Sequence, residues 1–596
     1  MTRTKSPTNP TTDKLAIAAA LQEIGILLEL KGGEYFKARA YKRGARAVAE
    51  LTEDLGKLIK ENRLTFVNGI GHGLATQIQD LYATGQSTFL NELRAQMPAG
   101  IVELSRVPGL SVRKIDALQS ALGISSVEEL RVAAEAGKVR HVTGFGAKTE
   151  QGILKAIKAL SDSEHREQRI HIHHALRAGE QILECLRLVP GFVQGELAGS
   201  LRRREETVSK IVVVASAKTP KVLINHFLRS PLVVRIETQK PQECSVVLGE
   251  GFKATLFAVK PEEFALKLLK ATGSEPHLKR LEQVASKRKL KLTERGIQKI
   301  APAKSRSKSK TTAPAIQVDS EPEIYRRLGM QYVPPELRED QGEVEEALRR
   351  ELPEDLITTQ DIRGMVHCHT KYSDGKHSVA EMVHAAESMG MKYITITDHS
   401  PTAFYAGGVK IDRLERQWEE IEQVQEQTKV RILKGTESDI LANGSLDYPD
   451  RILEQFDVIV ASIHSRYKMN EDQMTRRIVT AMRQPVFKIW GHALGRKLLE
   501  RPPFDCRMEE ILDVIAESRA AVEINGDPFR LDMEPRWLRE ARKRKIKFVV
   551  SVDAHSTRAL NNVKFGVGIA RRACVRRGEV LNTLGVKAFQ KAVRPA

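Results

Sequence analysis

The stretch MVHCHTKYSDG, residues 365–375, is the strongest indication of how the C-terminal part of this 596-residue chain folds. Its apolar start ends in His367 and His369, and Asp374 follows in the next loop. The H-x-H alternation places both imidazoles on the same side of one strand. Five later stretches are also strand-like, and each ends in a histidine or a carboxylate: YITITDHS, RILKGTESD, DVIVASIHS, VFKIWGHA and FVVSVDAHS. Six strands therefore finish in residue types that bind metals.

The whole segment 362–596 alternates such short apolar strands with helices. A seventh strand, AAVEIN, ends at Asn525 ahead of Gly526. This alternation is typical of parallel βα units, so it predicts an α/β barrel or a doubly wound sheet. In a parallel barrel the carboxyl ends of the strands share one face, which would bring the polar residues into one cleft.

The strand ends carry nine candidate metal ligands: His367, His369, Asp374, His399, Glu437, His464, His492, Asp553 and His555. Six of the chain's 16 histidines are in this set, which scattered core or surface histidines would not produce. Six imidazoles and three carboxylates suffice for up to three divalent ions with bridging carboxylates. Zinc, manganese and iron all fit such a mixed nitrogen and oxygen set, so the residues do not choose between them.

The N-terminal region, residues 14–162, is predicted to be all-α, with helices joined by Gly-containing turns. In GIGHG (69–73) and TGFGAKT (143–149), two glycines two apart precede a helix, and the N–H groups of such a turn can hold a phosphate. VPGLSVRK (107–114) is a weaker copy because Ser111 replaces the second glycine. The turns resemble helix-hairpin-helix motifs, which implies an 8-kDa-like domain at 14–92, a fingers-like domain at 93–162 and binding to the DNA backbone. The candidate DNA-binding residues are Gly69, Gly71, Gly73, Gly109, Gly144, Gly146 and Lys148.

Composition points to the same class of partner. Lys and Arg number 95 against 76 Asp and Glu, and the formal charge of +19 favours a polyanion such as nucleic acid. The five scattered cysteines have no CxxC spacing, so no disulfide framework is expected. An 18-residue apolar run is absent, and Gln22 with Glu23 interrupts the apolar segment that follows the basic start. We therefore expect a cytoplasmic protein without a membrane partner.

Residues 163–299 combine a helix with several strand-like stretches and predict a small α+β domain. Within it, GELAGSLRRREETVSKIVVVASA (195–217) resembles the palm of family X DNA polymerases. That resemblance implies an anion site for a triphosphate, with nucleotide binding left open, at Gly199, Ser200, Arg202 and Arg203.

The metal-binding acids of that palm are missing. The resemblance aligns the three carboxylates that hold two Mg²⁺ ions with Lys210, Val212 and Thr255, so Mg²⁺ is not expected there. Glu205 and Glu206 would be the acids only if this alignment were shifted. In the same comparison the nucleotide-contacting aromatic pair corresponds to Lys270 and Ala271, and the Schiff-base lysine of the lyase site corresponds to Gln77. A degenerate polymerase core is the prediction.

The motifs HCHTKYSDG, TDHS, GTESD, ASIHS, GHALGR and DAHS resemble the PHP (polymerase and histidinol phosphatase) domain. The resemblance implies a distorted TIM-like barrel of seven units, a trinuclear site at the nine residues and a metal-dependent 3′–5′ exonuclease. Arg496 and Lys371 are candidates to hold a nonbridging phosphate oxygen. A basic, flexible linker and bridging segment, 300–361, joins palm to barrel.

The order of these domains resembles the bacterial PolX family. It implies a DNA repair protein of the nucleoid that binds gapped or 3′-ended DNA. Three other functions are considered: a phosphomonoesterase for small phosphate esters, a DNA-binding scaffold without activity, and an active polymerase. The scaffold would require ligands to be missing from the barrel, and none is missing.

Overall fold

The structure is a computed structural model of the chain. It describes residues 14–595 except 32–33, 50, 52–54, 68, 85–86, 96–103, 105–106, 108–109, 111, 166–168, 250, 295 and 301–314. The chain divides into two compact units. One comprises Met1–Gln168, Leu228–Glu237 and Val246–Lys253, and the other comprises Arg169–Phe227, Thr238–Ser245 and Ala254–Ala596.

Seven parallel strands of the larger unit form one sheet in chain order. They are short and rich in Val and Ile, and nearly all of their residues are buried, as expected for a parallel sheet covered on both faces. A bridge between Cys368 and Ala554 joins the first strand to the loop after the seventh, so the sheet is nearly closed. This confirms the predicted α/β barrel of seven units. The strands are Gly364–Cys368, Tyr393–Ile396, Arg431–Asp439, Val458–Ser462, Lys488–Trp490, Ala520–Asn525 and Phe548–Ser551.

Helices follow or connect the barrel strands and cover them with their apolar faces. Two of them begin with a capping box, Ser378 with Glu381 and Asn470 with Gln473, which satisfies otherwise unpaired N–H groups. The barrel helices are Val379–Ser388, Ile411–Gln425, Asp450–Leu453, Glu471–Met482, Met508–Glu517, Pro535–Lys543, Val563–Arg572 and Val586–Val593.

The palm-like part begins with the helix Ile172–Arg187. Strand Ile211–Ala217 pairs antiparallel with Phe192–Ala198 and parallel with Lys253–Val259. Strands Val233–Lys240 and Glu243–Leu248 come between Ile211–Ala217 and Lys253–Val259 in the sequence. Shorter elements complete this part: helices Gly199–Arg202 and Pro220–Leu228 and strands Ile170–His171 and Thr207–Val208.

A bridging segment follows the palm-like part and packs on it. Its helices Glu321–Arg327 and Glu343–Arg349 share an apolar cluster with the helices Phe264–Thr272 and Glu275–Lys287. The hairpin Leu290–Thr293 and Gly296–Lys299 precedes the bridge. Most of the predicted basic linker, residues 301–314, lies outside the described residues.

Between residues 14 and 165, the described residues of the smaller unit form helices joined by turns, as predicted, and they include two separate apolar clusters. Gly69 and Gly144 have φ values of +94° and +88°, which only glycine adopts at little cost, and each precedes a helix start. Across the described part of the chain, no helix is long and apolar enough to span a membrane. The helices are Lys14–Lys31, Tyr35–Ala49, Leu55–Lys60, His72–Thr84, Thr88–Ala95, Val112–Leu122, Val127–Glu135 and Ala147–His165.

Candidate metal centre

The nine predicted ligands meet at the carboxyl-terminal end of the barrel. Eight of them fall into three overlapping groups whose ligand atoms lie within 4.8 Å of one another. The ninth, His492, approaches the same centre because its Nε2 lies 2.8 Å from Glu437 Oε1. The groups are His369, Asp374, His399 and His555; His367, His369, Glu437 and Asp553; and His399, Glu437 and His464.

Glu437 stands in the middle of this cluster with imidazoles on both of its oxygens. Its Oε2 lies 3.0 Å from His399 Nδ1 and 3.3 Å from His367 Nε2. Its Oε1 lies 3.2 Å from His464 Nε2. A carboxylate with ligand nitrogens on both oxygens is suited to bridge two metal ions.

Several buried nitrogen and oxygen atoms in the cluster have no hydrogen-bond partner among the described residues. They are His367 Nε2, both ring nitrogens of His369, His399 Nδ1, His492 Nδ1 and Glu437 Oε2. Leaving buried polar atoms unsatisfied costs free energy, whereas a divalent ion would satisfy them. The buried donor set thus fits metal binding.

The charges of the cluster's side chains follow from their burial and their closeness to one another. Burial would raise the pKa of the Glu437 carboxyl, but the imidazoles of His464, His367 and His399 hold it well below its usual range. Burial would lower the pKa of His464, but Glu437 and Asp439 raise it to about 10. The carboxylates therefore stay ionised and ready to bind cations.

A second layer of carboxylates orients the ligands. Glu523 Oε1 lies 2.5 Å from His367 Nδ1, which leaves Nε2 of that ring directed into the cluster. Asp439 Oδ1 lies 2.5 Å from His464 Nδ1 in the same way. Buried Asp398 accepts hydrogen bonds from the Thr370 N–H (2.7 Å) and the Gln417 amide (2.6 Å), and so fixes the loop that carries Asp374. Such partners fix the tautomer and ring orientation of metal-binding histidines.

The two predicted phosphate-holding residues lie differently from each other. Arg496 is buried, and its guanidinium donates to the Arg530 and Leu531 carbonyls and to Glu534 and Glu206. These bonds connect the barrel to the palm-like part and argue against a role in holding substrate. Lys371 is exposed, with its ammonium 3.7 Å from Glu381.

Sequence reasoning missed Arg530, which lies closer to the cluster. Its Nε is 3.4 Å from Asp553 Oδ2, and its buried Nη1 has no hydrogen-bond partner among the described residues. A free guanidinium N–H beside the cluster could donate to a phosphate oxygen. The motif NGDPFRLD could have indicated this residue, because its arginine comes shortly after the end of the sixth strand.

The predicted DNA-binding turns lie open at helix starts. A β-carbon added at Gly71, Gly73, Gly144 or Gly146 would meet nothing within 4 Å, so a phosphate could approach the backbone closely. Lys148 is exposed in the first turn of Ala147–His165. Gly109 lies outside the described residues.

The palm-like sheet brings together two of the positions that the resemblance aligns with the metal-binding acids of family X polymerases. Val212 pairs with Thr255 across two parallel strands, and Val212 belongs to an apolar cluster. Lys210 is exposed just before its strand. Among the residues that the structure describes, groups of three or more potential metal ligands occur only in the barrel.

The arginines of the predicted anion site are paired internally. Arg202 donates to both oxygens of Glu321, at 3.0 and 2.8 Å. Arg203 donates to Glu339 at 2.7 Å and to the Thr272 carbonyl at 2.8 Å. Gly199 has φ +65° and lies beside Val212, and Ser200 follows it in the short helix Gly199–Arg202. A nucleotide phosphate would have to compete with these carboxylates.

Family models match four segments of the chain. A helix-hairpin-helix domain matches residues 13–87, and a SAM-like helix-hairpin-helix tandem matches 99–159. The DNA polymerase beta thumb matches 267–339, and the PHP domain matches 366–527.

Curated relatives match either the whole chain or the barrel. The DNA polymerase/3′-5′ exonuclease PolX of Bacillus subtilis is 32% identical over 577 residues, 96% of this chain and 98% of the relative. A probable phosphatase of Thermoanaerobacter sp. is 29% identical over 234 residues, 36% of this chain and 89% of the relative. A probable phosphatase of Clostridium acetobutylicum is 25% identical over 215 residues, 33% of this chain and 80% of the relative.

Proposed function

The chain belongs to the PolX family, and from this premise we propose that its barrel is a metal-dependent 3′–5′ exonuclease beside a polymerase core that has lost nucleotidyl transfer. The observation that carries the proposal is the cluster of nine histidines and carboxylates, six of them buried, with ligand atoms that lack hydrogen-bond partners among the described residues. PHP domains depend on metals, and the donor set fits up to three Zn²⁺, Mn²⁺ or iron ions.

Divalent ions in such a site supply Lewis acidity toward phosphoryl oxygens and activate water for attack on phosphorus. The residues of the chain supply the rest. Glu437 and the imidazoles around it would fix the ions, and Glu523 and Asp439 would hold the rings in place. Arg530 would donate its free N–H to a nonbridging phosphate oxygen and orient the scissile bond.

DNA is the proposed substrate because the chain carries a helix-hairpin-helix unit and a large positive charge. Non-specific contacts to phosphates supply most of the affinity in such proteins. They would retain the protein on the bacterial nucleoid and deliver a 3′ end to the barrel.

Loss of polymerisation is proposed from the palm residues. A pair of Mg²⁺ ions needs carboxylates, and the aligned positions hold Lys210, Val212 and Thr255. The pairing of Arg202 with Glu321 and of Arg203 with Glu339 supports a structural role for the former triphosphate site.

A phosphomonoesterase is the second candidate, because relatives of the barrel alone bear the name probable phosphatase. The two functions separate on matched oligonucleotides that end in a 3′-hydroxyl or a 3′-phosphate. An exonuclease shortens the first and releases nucleoside 5′-monophosphates, and Glu437→Gln abolishes this reaction. Release of inorganic phosphate from the second, without shortening of either, would favour the phosphomonoesterase.

A further inference from the structure

Two neighbouring aromatic residues stand exposed at the rim of the metal centre. Phe404 is 85% exposed and Tyr405 is 61% exposed, in a short 3₁₀ turn after the second barrel strand. The Tyr405 ring lies 6.4 Å from the rings of both His399 and His464. The Phe404 ring lies 6.3 Å from the Tyr405 ring. Single exposed apolar side chains are common on protein surfaces, but contiguous ones mark binding surfaces.

The loop that carries the two rings is fastened to the metal centre. The Thr402 hydroxyl donates to Asp439 at 3.0 Å, and Asp439 is the carboxylate that orients His464. The Thr402 N–H donates to Asp447 at 2.7 Å. At the other end of the loop, the Val409 N–H donates to the His399 carbonyl at 2.7 Å. The backbone of this loop is therefore held in a fixed position relative to two predicted ligands, His399 and His464.

Internal bonds also stiffen the turn itself. The Gly408 N–H donates to the Ala403 carbonyl at 3.1 Å, and Gly407 takes a left-handed φ of +70° that ends the turn. Arg413 donates to the Gly407 carbonyl at 3.3 Å. Aromatic side chains have only two rotatable bonds, so on a fixed backbone they lose little conformational entropy when a partner stacks on them.

We propose that Phe404 and Tyr405 form a stacking surface for the last nucleobases of the DNA strand whose 3′ end enters the cluster. The proposal rests on the proposed function and specifies how the site distinguishes a polynucleotide end from a small phosphate ester. Successive bases of one strand lie about 3.4 Å apart. The Tyr405 ring, 6.4 Å from the rings of His399 and His464, is therefore within about two nucleotides of the scissile phosphate. Every base has a π face, so aromatic stacking suits an enzyme that must accept any sequence.

The first test compares two oligonucleotides that differ only in whether their last two nucleotides carry bases or are abasic. Both oligonucleotides present the same phosphates, so the ratio of their kcat/KM values measures the contribution of the last two bases to the reaction. We expect the wild-type protein to prefer the base-bearing strand about tenfold, within the range for stacking on one aromatic ring. Phe404→Leu keeps an apolar side chain but removes the π face of one of the two rings, so it should lower the ratio while Tyr405 still stacks.

The matched control is Leu188→Ala, which removes another exposed apolar side chain, 78% exposed, from the palm-like part. It should leave the ratio at the wild-type value. An unchanged ratio in Phe404→Leu would overturn the proposal. If the ratio is unchanged and sedimentation shows that Phe404→Leu has lost self-association, the rings contact a second copy of the chain instead of DNA bases.

A second measurement does not depend on hydrolysis. In Phe404→Trp with chelator present, the new indole should be quenched by the base-bearing oligonucleotide and not by the abasic one. If neither oligonucleotide is cut by the wild-type protein, the proposed function fails, and this quenching still decides whether bases stack. Equal quenching by both oligonucleotides, or by neither, would contradict the stacking surface.

Discussion

At the residue scale, Glu523 shows how a carboxylate outside the predicted ligand set can control a metal centre. It is fully buried, and the Ser551 hydroxyl donates to it at 2.6 Å while it holds the His367 ring at 2.5 Å. Burial would raise its pKa, but His367 and its hydrogen bonds lower it, so the group stays ionised. An anion here raises the basicity of the imidazole and fixes its tautomer.

Glu523→Gln should therefore weaken metal binding by about 10- to 100-fold without unfolding the barrel, since the amide keeps the shape of the side chain. A titration of the chelator-treated protein with Mn²⁺ or Zn²⁺ measures this change. Glu517→Gln, an exposed carboxylate of the same domain, is the control and should bind metal as the wild type does. Equal affinities in both variants would show that Glu523 does not position His367.

The candidate ligands can be predicted from the sequence, whereas most of the residues that support them cannot, for a physical reason. His367, Glu437 and His464 end apolar strands, and parallel strand ends converge, so strand periodicity alone brings them together. Glu523 lies inside a strand, where only its charge within AAVEIN marks it, and Asp439 repeats the two-residue spacing from Glu437. The exposure of Phe404 depends on how a loop folds back, which no periodic pattern records.

At the element scale, the helix start at Ala147 is predicted to act as a phosphate site of the helical unit. Lys148→Ala should weaken DNA binding about equally for all sequences and reduce the slope of log K against log salt concentration by about 0.9. Lys155→Ala removes the same charge from the same helix, about 10 Å further from its N-terminus, and should affect the slope less. Fluorescence anisotropy over a salt series measures both. Equal slopes in the two variants would mean that the turn has no special role.

The bridging helix Glu321–Arg327 provides a second test at this scale. Glu321 is 5% exposed and pairs with Arg202 and with Arg338, which is fully buried. Glu321→Gln would leave these guanidinium groups without their shared counter-charge and should destabilise the fold by about 3–5 kcal/mol. Glu323→Gln, whose partner Arg327 is more exposed, should cost under about 1 kcal/mol. Denaturant unfolding distinguishes the two variants.

The same residue predicts an acid dependence. Burial would raise the pKa of Glu321, but Arg338 and Arg202 lower it below the ordinary 4.5. A carboxyl with a lowered pKa in the folded state contributes stability above its unfolded pKa, and that contribution is lost as the pH falls through the folded value. The wild type should therefore lose more stability between about pH 5 and pH 3 than Glu321→Gln does. If the free energy of unfolding fell equally with pH in both proteins, Glu321 would be excluded as a source of acid sensitivity.

At the scale of the whole molecule, we propose that the barrel hydrolyses DNA and that the palm-like part transfers no nucleotides. Restoring two acids by Lys210→Asp with Val212→Asp should not restore strong primer extension, because Thr255 still supplies no third carboxylate. Val212 also packs in an apolar cluster, so the double variant needs a check of folding by circular dichroism. Robust extension by a folded double variant would show that the alignment of the palm is wrong.

One assay separates hydrolysis by the barrel from nucleotidyl transfer by the palm-like part. It uses a 5′-labelled primer annealed to a template, in the presence of Mn²⁺, with and without dNTPs. It compares the wild type with His367→Ala plus His369→Ala. We expect the wild type to shorten the primer from its 3′ end, the variant to leave the primer intact, and neither protein to extend it when dNTPs are added. Primers lengthened by the wild type, or shortened equally by the variant, would contradict it.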